Sequence, residues 1–358
     1  MERSIALLLP VSNQPRYLKR IHLLTKLGYH VTAYYFDRND PVPQLTYKNV
    51  QFVRIAFLEH GNYLKRLLPL GKLVKTLRRD PSPVTYVFSA DLLLAAVLAG
   101  KNEIIFEIGD IREINSPLFR RLYAYLLSKC ARIIVTSDRF ATYLIETYGA
   151  DPAKILFHPH LLEPHQFNPD SRIRRKSLIS RKELHIGFVG LLRYTSVGRL
   201  LDTCRDFPHF RVHIHGRGAY EEEVRGKVVS GKDEYAGAFL YPDDLKEIYA
   251  SIDINYVMYD TSDANVTMAL PNKLYESIYF ATPLIVSSGT YLSDLVEGYG
   301  IGLVWDYNRI DTLCQYLDSD TFRHRHASMV KNILAIPNDD IMRTHDHLKE
   351  LFNDLKKK

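Results

Sequence analysis

The chain has few cysteines and no long apolar run, and both absences limit what it can be. Its 358 residues include three cysteines, Cys130, Cys204 and Cys314, which are far apart. An odd number of scattered cysteines argues against a disulfide framework and favours the reducing cytosol. The most apolar stretch, 92–100, is much shorter than the roughly 20 residues of a membrane-spanning helix. The start, MERSIALLLPV, has no small-residue cleavage site and predicts a buried strand rather than a secretion signal.

Two phosphate-binding sequence motifs are also absent. No G-x-G-x-x-G follows the first predicted strand, where the loop reads PVSNQPRYLKR, and no Walker sequence occurs anywhere. These glycine-rich loops let backbone N–H groups approach a pyrophosphate in dinucleotide oxidoreductases and P-loop enzymes. Their absence argues against both enzyme classes.

Charge is distributed unevenly over a composition that is otherwise typical of a folded, soluble protein. Residues 1–160 contain 22 Lys and Arg against 13 Asp and Glu, a net charge of +9. The remaining residues contain 25 against 28, a net charge of −3, which together give the overall +6. The basic half indicates an anionic partner such as lipid headgroups, a lipid diphosphate or nucleic acid. A surface that is basic only for solubility is the alternative.

Short β-branched runs alternate with amphipathic stretches, which predicts two doubly wound α/β domains with parallel sheets. Strands are predicted at 5–11, 30–37, 50–57, 85–89, 103–108, 132–136 and 154–157, and then at 184–189, 211–215, 238–241, 253–257, 283–287 and 302–305. Helices are predicted between most of them, including 14–27, 118–129, 139–148, 200–206, 243–251, 273–280, 291–297 and 309–317.

The domain boundaries follow from a break in this pattern. Residues 158–183 carry three prolines and mixed charge without periodicity, which indicates a linker. We assign 1–165 to a first domain, 166–183 to the linker and 184–335 to a second domain. Residues 336–358 are predicted to form a C-terminal helix, for which a return to the first domain is one arrangement. Two such sheets predict a ligand-binding cleft at the carboxyl ends of their strands.

The segment PNKLYESIYFATPLIVS, 271–287, is the most informative part of the sequence. It predicts a helix with Lys273 in its first turn, where the helix dipole disfavours a cation by roughly 0.3–1 kcal/mol. This position is favourable if an anion is bound at the helix N-terminus by backbone N–H groups and Lys273. Glu276, one turn further on, could accept hydrogen bonds from hydroxyl groups attached to that anion. An ordinary surface helix is the alternative.

This segment resembles the acidic motif of the retaining group-1 glycosyltransferases, in which an E-x7-E pair precedes a small-Pro-apolar strand. The resemblance implies the GT-B fold, with two doubly wound domains facing a central cleft, and makes Glu276 the residue that binds the nucleotide ribose. Met268 stands where the first Glu would be, as in a branch with PNKLYE-type helices. In that branch the preceding loop, here 262–265, recognises the donor sugar.

A second resemblance lies at the start of the second domain, where HIGFVGLLRY, 185–194, is similar to the family's strand, glycine turn and basic residue. Gly190 would let the backbone approach the donor closely. Arg193, assisted by Lys273 and by Arg199, would stabilise the charge that the departing diphosphate gains. The donor-binding residues implied by both segments are Gly190, Arg193, Tyr194, Asn265, Asn272, Lys273 and Glu276.

A third resemblance places the acceptor. The segment FEIGDIR, 106–112, follows a predicted first-domain strand and is similar to the E-x-x-D-L segment that faces the cleft in these enzymes. It implies that Glu107, Asp110 and Arg112 lie on the acceptor side. Asp110 could orient or deprotonate the acceptor hydroxyl, or it could form a structural ion pair with Arg112. The catalytic candidates are therefore Arg193, Lys273 and Asp110.

We expect neither a metal nor another cofactor. The nucleotide diphosphate sugar that the resemblance implies is counted as a substrate. Asp318 and Asp320 form a D-x-D sequence, but it follows a predicted helix rather than a strand. His213 and His215 alternate on a predicted strand without an evident third ligand. Positive side chains are expected to take the place of a divalent ion.

Residues 62–79, NYLKRLLPLGKLVKTLRR, are basic and amphipathic. Such a stretch can lie in a membrane interface, where anionic lipid attracts each nearby cation by about 1 kcal/mol. Lys65, Arg66, Lys72 and Lys75 are the predicted contacts with an anionic membrane. A helix packed on the first-domain sheet is the alternative. Nucleic acid is not an expected partner, because no recognised binding motif accompanies the charge.

These features predict a cytoplasmic enzyme of cell-envelope polysaccharide biosynthesis, bound peripherally to the inner face of the membrane. It would transfer a sugar from a nucleotide diphosphate sugar to a lipid-linked or polysaccharide acceptor with retention of configuration. Two alternatives stay open: a nucleotide-sugar epimerase of the same fold, and a non-catalytic subunit that binds nucleotide sugar or membrane.

Overall fold

The computed structural model of the protein has two compact units. Unit 1 comprises Met1–Pro159 and Asp346–Lys358, and unit 2 comprises His160–His345. The structure describes residues 3–12, 14–37, 48–58, 67–111, 114, 116–171, 182–343 and 347–354. Unit 2 thus begins before the linker expected at 166–183. Phe167 is buried there and packs edge-on against Tyr279.

Unit 1 is built on a parallel sheet. Its strands are β1 (Arg3–Leu9), β2 (Tyr29–Asp37), β3 (Val50–Phe57), β4 (Val84–Val87), β5 (Glu103–Ile108), β6 (Arg132–Val135) and β7 (Ile155–Phe157). Over the described residues the sheet has seven strands in the order β3-β2-β1-β4-β5-β6-β7. The chain runs outward from β1 to β3 and then returns to continue from β4 on the other side, which is the doubly wound topology.

The helices of unit 1 cover both faces of this sheet. They are α1 (Pro15–Lys26), α2 (Leu67–Leu77), α3 (Ala90–Leu98), α4 (Pro117–Ser128) and α5 (Asp138–Tyr148). Tyr17, Ile21 and Leu24 of α1 pack on the apolar side chains of β1. Helices α2 to α5 follow one another as neighbours, and right-handed crossovers place them on the face opposite α1. Since helices cover both faces, the β1 sequence IALLL is fully buried.

Unit 2 repeats this design. Its strands are β8 (Leu184–Val189), β9 (Phe210–His215), β10 (Glu234–Gly237), β11 (Ile254–Val257), β12 (Leu284–Ser287) and β13 (Gly302–Trp305). Its helices are α6 (Ser196–Cys204), α7 (Glu221–Lys227), α8 (Leu245–Ser251), α9 (Ala264–Met268), α10 (Asn272–Tyr279), α11 (Tyr291–Tyr299), α12 (Leu313–Leu317) and α13 (Asp320–Ala335). The described strands form a parallel sheet in the order β10-β9-β8-β11-β12-β13.

The last helix, α14 (His347–Asp354), belongs to unit 1 although it follows unit 2 in the chain. Leu348 and Phe352 are fully buried in the core formed by β1, β2 and α1. The Tyr29 hydroxyl donates a hydrogen bond of 3.0 Å to the Phe352 carbonyl. These contacts fix the end of the chain on the first sheet.

Two elements of unit 2 differ from those predicted. The strand predicted at 238–241 is wrong, because β10 lies earlier, at Glu234–Gly237. Gly237 has a φ of 75°, which ends the extended conformation before that apolar run. The helix predicted at 309–317 is a 3-10 turn, Tyr307–Thr312, followed by α12. Within the described ranges, no helix is both long and apolar enough to cross a membrane.

Candidate functional sites

In unit 2, the carboxyl ends of β8 and β9 meet through two glycines. Gly190 has a φ of 147° and donates its N–H to the His215 carbonyl over 2.8 Å. A Cβ on Gly216 would lie 1.7 Å from the Gly190 carbonyl oxygen, so only glycine allows this approach. A Cβ built on Gly190 would lie 3.5 Å from the Lys273 side chain. Gly190 therefore presents bare backbone towards Lys273, the first-turn lysine of α10.

Helix α10 begins with Pro271 at its N-cap, and no side chain caps it. Lys273 lies in its first turn, as predicted, but its ammonium group forms a 2.7 Å ion pair with Glu276 Oε2. The ammonium also lies 5.7 Å from the centre of the Phe239 ring. The i,i+3 pair offsets the unfavourable position of a cation near the positive end of the helix dipole.

Glu276 is a buried carboxylate with one oxygen satisfied and one unpaired. Its side chain is 1% exposed. Oε2 accepts from Lys273 and, over 3.0 Å, from the Tyr249 hydroxyl. Oε1 has no hydrogen-bond partner among the described residues. Since roughly 90% or more of buried polar groups are hydrogen-bonded, this oxygen is a candidate acceptor for a ligand hydroxyl.

A buried polar network holds this carboxylate in place. Burial, followed by the charge of Glu276, raises the pKa of Tyr249 well above its ordinary value, so the tyrosine donates as a neutral phenol. The Asn255 amide donates to the Tyr249 hydroxyl and to Ser277 over 3.2 and 2.9 Å. Asn272, the first residue of α10, has a buried Oδ1 without a partner in the described part of the chain. Two acceptor oxygens are thus available near the start of α10.

Arg193 and Tyr194 lie in the loop after Gly190. Arg193 is exposed, and its guanidinium makes no ion pair with the described carboxylates. The Tyr194 hydroxyl donates to Asp263 Oδ2 over 3.0 Å, while Asp263 Oδ1 accepts from the Asn265 N–H over 2.9 Å. Asp263 therefore joins the loop after β8 to the start of α9, where the predicted sugar-recognition loop ends.

In unit 1, Glu107 lies in β5 with a fully buried side chain. Arg20 donates to it from Nε over 2.8 Å and from Nη2 over 3.2 Å, and the Tyr86 hydroxyl donates to Oε2. Burial alone would raise the pKa of Glu107, but the charges of Arg20 and Arg16 outweigh it and lower that pKa. Without exposed surface, Glu107 is placed to join β5 to α1 rather than to touch an acceptor as expected.

Asp110 follows β5 and is exposed, so it is accessible to an acceptor. Arg112 lies outside the described residues, and its pairing with Asp110 stays a prediction. Arg16, in the first turn of α1, is not among the site residues predicted from the sequence. Its Nη1 lies 1.2 Å from where a Cβ on Gly109 would be, and its guanidinium is 5.4 Å from the Phe88 ring centre. The loop before Arg16, PVSNQ, contains no recognised motif, so the sequence did not single out this residue.

Comparison with known proteins adds one relative and several similar structures. No family model matches the chain. Succinoglycan biosynthesis protein ExoL of Rhizobium meliloti is 25% identical over 334 residues, covering 85% of this chain and 81% of that protein. Sucrose-phosphate synthase from Thermosynechococcus elongatus has a TM-score of 0.73 at 16% identity and covers 99% of this chain and 100% of its own. HepE from Anabaena, solved with UDP and glucose, has a TM-score of 0.67 at 12% identity, with both chains covered completely.

The chain has the GT-B fold. Its two parallel sheets, flanked by helices, confirm the fold class predicted from the PNKLYE segment. Membership of the retaining group-1 branch stays a prediction.

Two polar residues for which a diphosphate or metal role was considered, Arg199 and Asp318, contact other protein groups in this GT-B protein. Arg199, expected to assist at the diphosphate, donates to the Tyr307 and Asn308 carbonyls over 2.8 and 3.1 Å and so holds the 3-10 turn. Asp318 lies 2.7 Å from His209. Across the described ranges, no three His, Cys, Asp or Glu side chains are grouped as metal ligands would be.

The basic stretch of this GT-B protein is partly described. Lys65 and Arg66 lie outside the described residues, whereas Lys72 and Lys75 are exposed on α2. Leu73 and Leu77 are buried, so the helix packs on its unit. The same helix exposes Lys72 and Lys75 to solvent, so α2 both packs on unit 1 and presents a basic surface.

Proposed function

We propose that this protein is a glycosyltransferase that moves a sugar from a nucleotide diphosphate sugar to a lipid-linked or polysaccharide acceptor with retention of configuration. The observation that carries the proposal is the unpaired Oε1 of buried Glu276. A ribose hydroxyl donating to that oxygen would satisfy it without moving Lys273 or Tyr249, which hold the other oxygen.

Positive groups around Gly190 support a diphosphate next to the ribose. The uncapped N-terminus of α10 offers backbone N–H groups to an anion. Lys273 lies beside this end, and Arg193 extends from the neighbouring loop with its guanidinium unpaired by described carboxylates. Charge that develops on a departing diphosphate would be stabilised by both residues.

The proposed reaction proceeds on one face of the sugar. The bond between the anomeric carbon and the diphosphate oxygen breaks, and the acceptor oxygen forms its bond to the same carbon from the same side. The acceptor proton passes to the departing diphosphate. In this scheme Asp110 of unit 1 orients the acceptor hydroxyl, and Glu107 acts only as a positioning residue through β5.

The similar proteins support the substrate class. ExoL is by name a succinoglycan biosynthesis protein, which favours a polysaccharide or its lipid-linked precursor as acceptor. HepE has been solved with UDP-glucose, which makes uridine diphosphate sugars the first donors to test. Exposed Lys72 and Lys75 support peripheral binding at the inner face of the membrane, with Lys65 and Arg66 as further proposed contacts.

The function is tested by screening UDP-, GDP- and dTDP-sugars for thermal stabilisation, then assaying nucleotide release with acceptor lipid. A donor at 100 times its dissociation constant should add about 2.7 kcal/mol to the free energy of unfolding. Donor isomerised without acceptor would instead identify an epimerase. Tight binding without sugar transfer would identify a binding subunit.

Independence from metal is a separate prediction of the proposal. If Arg193, Lys273 and the α10 N-terminus take the place of a divalent ion, EDTA should leave the transfer rate unchanged. The rate is to be measured before and after chelation, and again with added Mn²⁺ or Mg²⁺. Loss with EDTA and recovery with either ion would contradict this arrangement.

A further inference from the structure

We infer that the first turns of α2 and α4 insert into an anionic lipid bilayer. The four side chains are Leu67, Leu68, Leu118 and Phe119, here named the rim. This inference extends the proposed membrane association, which rested on basic residues of α2, to an apolar surface that includes α4. The inference rests on the proposed function because a lipid-linked acceptor is the reason for the protein to bind a membrane. The surface itself follows from side-chain exposure, topology and charge.

The rim consists of large apolar side chains that folding leaves in water. Leu67 and Leu68 are 65% and 87% exposed, and Leu118 and Phe119 are 74% and 59% exposed. Single exposed leucines are common, whereas two adjacent large apolar side chains exposed in the first turn of each of two helices call for a partner. Among the other large apolar residues of α1 to α5, only Leu98 and Tyr125 are more than half exposed in the described part of the chain.

Topology puts both pairs at one edge of the sheet. In a parallel α/β unit, a helix that connects two strands begins at the carboxyl end of the first strand. Helix α2 follows β3 and α4 follows β5, and α3 lies between them in contact with both. Both apolar turns therefore lie at the carboxyl edge of the unit 1 sheet. Asp110, the proposed acceptor contact, follows β5 at that same edge.

The charges beside the rim identify its partner as an anionic bilayer. Arg120 and Arg121 follow Phe119 directly and are exposed, as are Lys72 and Lys75 on α2. Segments 67–79 and 117–129 contain no Asp or Glu. On α2 and α4 themselves the apolar first turns are accompanied by cations alone, while Asp91 of α3 and Asp110 are acidic residues at the same edge. Apolar first turns followed by cations on the same helices match acyl chains beneath anionic headgroups. This arrangement would hold the acceptor side of unit 1 close to a lipid-linked acceptor.

Insertion is measured directly with a tryptophan reporter. The chain has a single tryptophan, Trp305, in unit 2. Phe119→Trp in a Trp305→Phe background should show a blue shift and quenching by brominated acyl chains in phosphatidylglycerol vesicles. Leu334→Trp in the same background is the control, because Leu334 is 41% exposed on α13 of unit 2. Equal quenching of the two reporters, or none of either, would overturn the inference.

A second measurement keeps the wild-type tryptophan. Leu118→Ser with Phe119→Ser should weaken co-sedimentation with the same vesicles at least about tenfold, whereas Leu334→Ser should not. Vesicle binding equal to that of the wild type would overturn the inference. So would a wild type that ignores vesicles but dimerises through these residues, since the rim would then be a protein interface.

Failure of the proposed function gives a different result. Thermal stabilisation by the nucleotide sugars should be the same in the wild type and in the Leu118→Ser, Phe119→Ser variant, because the donor residues lie in unit 2. Vesicle binding without stabilisation by any nucleotide sugar would refute the proposed function and leave the rim standing. Thermal stabilisation by a nucleotide sugar without vesicle binding would refute the insertion of the rim and leave the proposed function standing.

Discussion

The unpaired oxygen of Glu276 is a buried carboxylate atom that a ligand hydroxyl would satisfy. Leaving a buried acceptor unsatisfied disfavours the folded state by about 1–3 kcal/mol, so the side chain is poorly explained by stability alone. Its second oxygen is held from two directions by Lys273 and Tyr249. The carboxylate is therefore already fixed in the protein itself, as the proposed donor contact would require.

We expect Glu276→Gln to lower the transfer rate about 10²–10³-fold, as is typical when one preorganised polar contact is removed. The amide keeps the shape of the side chain but loses the charge that pairs with Lys273. Donor-dependent thermal stabilisation and transfer rate are the measurements. Glu297→Gln, at an exposed position of α11, is the matched control. Turnover of the Glu276 variant at the control rate would remove Glu276 from the site.

Arg193 differs from Glu276 because nothing in the described core depends on it. We therefore expect Arg193→Ala to change the free energy of unfolding by less than about 0.5 kcal/mol. The same variant should lose about 10²–10³ in transfer rate, since the departing diphosphate would lack one cation. Arg205→Ala, exposed on the same unit, should lose neither. An Arg193 variant that is unstable, or as active as the wild type, would contradict this role.

At the scale of elements, the ion pair of Arg20 and Glu107 joins α1 to β5 inside unit 1. The two side chains are 5% and 0% exposed. Removing one partner of a buried pair leaves an uncompensated charge, so Arg20→Met should lower the free energy of unfolding by about 3–5 kcal/mol. Adding Glu107→Leu should restore part of it. Denaturant unfolding of the single and double variants measures both, and a double variant less stable than Arg20→Met alone would argue against this explanation.

The same pair predicts how stability depends on acid. The pKa of Glu107 is lowered from its ordinary 4.5 in the folded chain. Its contribution is therefore complete above the unfolded pKa and is lost as the pH falls through the lower folded one. We expect the unfolding free energy to fall more steeply below about pH 4.5 in the wild type than in Glu107→Gln. Parallel curves for the two proteins would show that another group controls acid unfolding.

Elements with a strong local pattern could be predicted from the sequence, and long-range pairs could not. The predicted strand 184–189 coincides with β8, because LHIGFV is an apolar run closed by a glycine turn. The prediction of a strand at 238–241 was wrong. The segment AFLY has the composition of a strand, but the positive φ of Gly237 ends the extended backbone before it. Lys273 and Glu276 were recognised because they lie three positions apart in the single segment PNKLYE. Arg20 and Glu107 are 87 positions apart, so no local pattern indicated that this charged strand residue is buried in an ion pair.

At the scale of the whole molecule, charge separates two tasks along the chain. Residues 1–160 carry +9 and the rest carry −3, while the candidate donor residues all belong to unit 2. A cation-rich unit 1 suits an anionic surface, whereas unit 2 has no net positive charge and would bind an anionic donor through local cations such as Lys273. We therefore expect the protein to bind anionic vesicles and not neutral ones.

This binding should depend on salt and on particular lysines rather than on total charge. Lys72→Ser with Lys75→Ser should weaken it about tenfold or more, since each nearby cation contributes about 1 kcal/mol. Lys246→Ser with Lys331→Ser removes the same charge from exposed positions of unit 2 and should leave it unchanged. Raising the ionic strength from 0.1 to 1 M shortens the Debye length from about 10 to about 3 Å and should release the wild type. If both lysine pairs weaken binding equally, the attraction comes from overall charge and α2 is a packed helix only. If anionic vesicles bind none of these proteins even at low salt, a soluble acceptor is favoured.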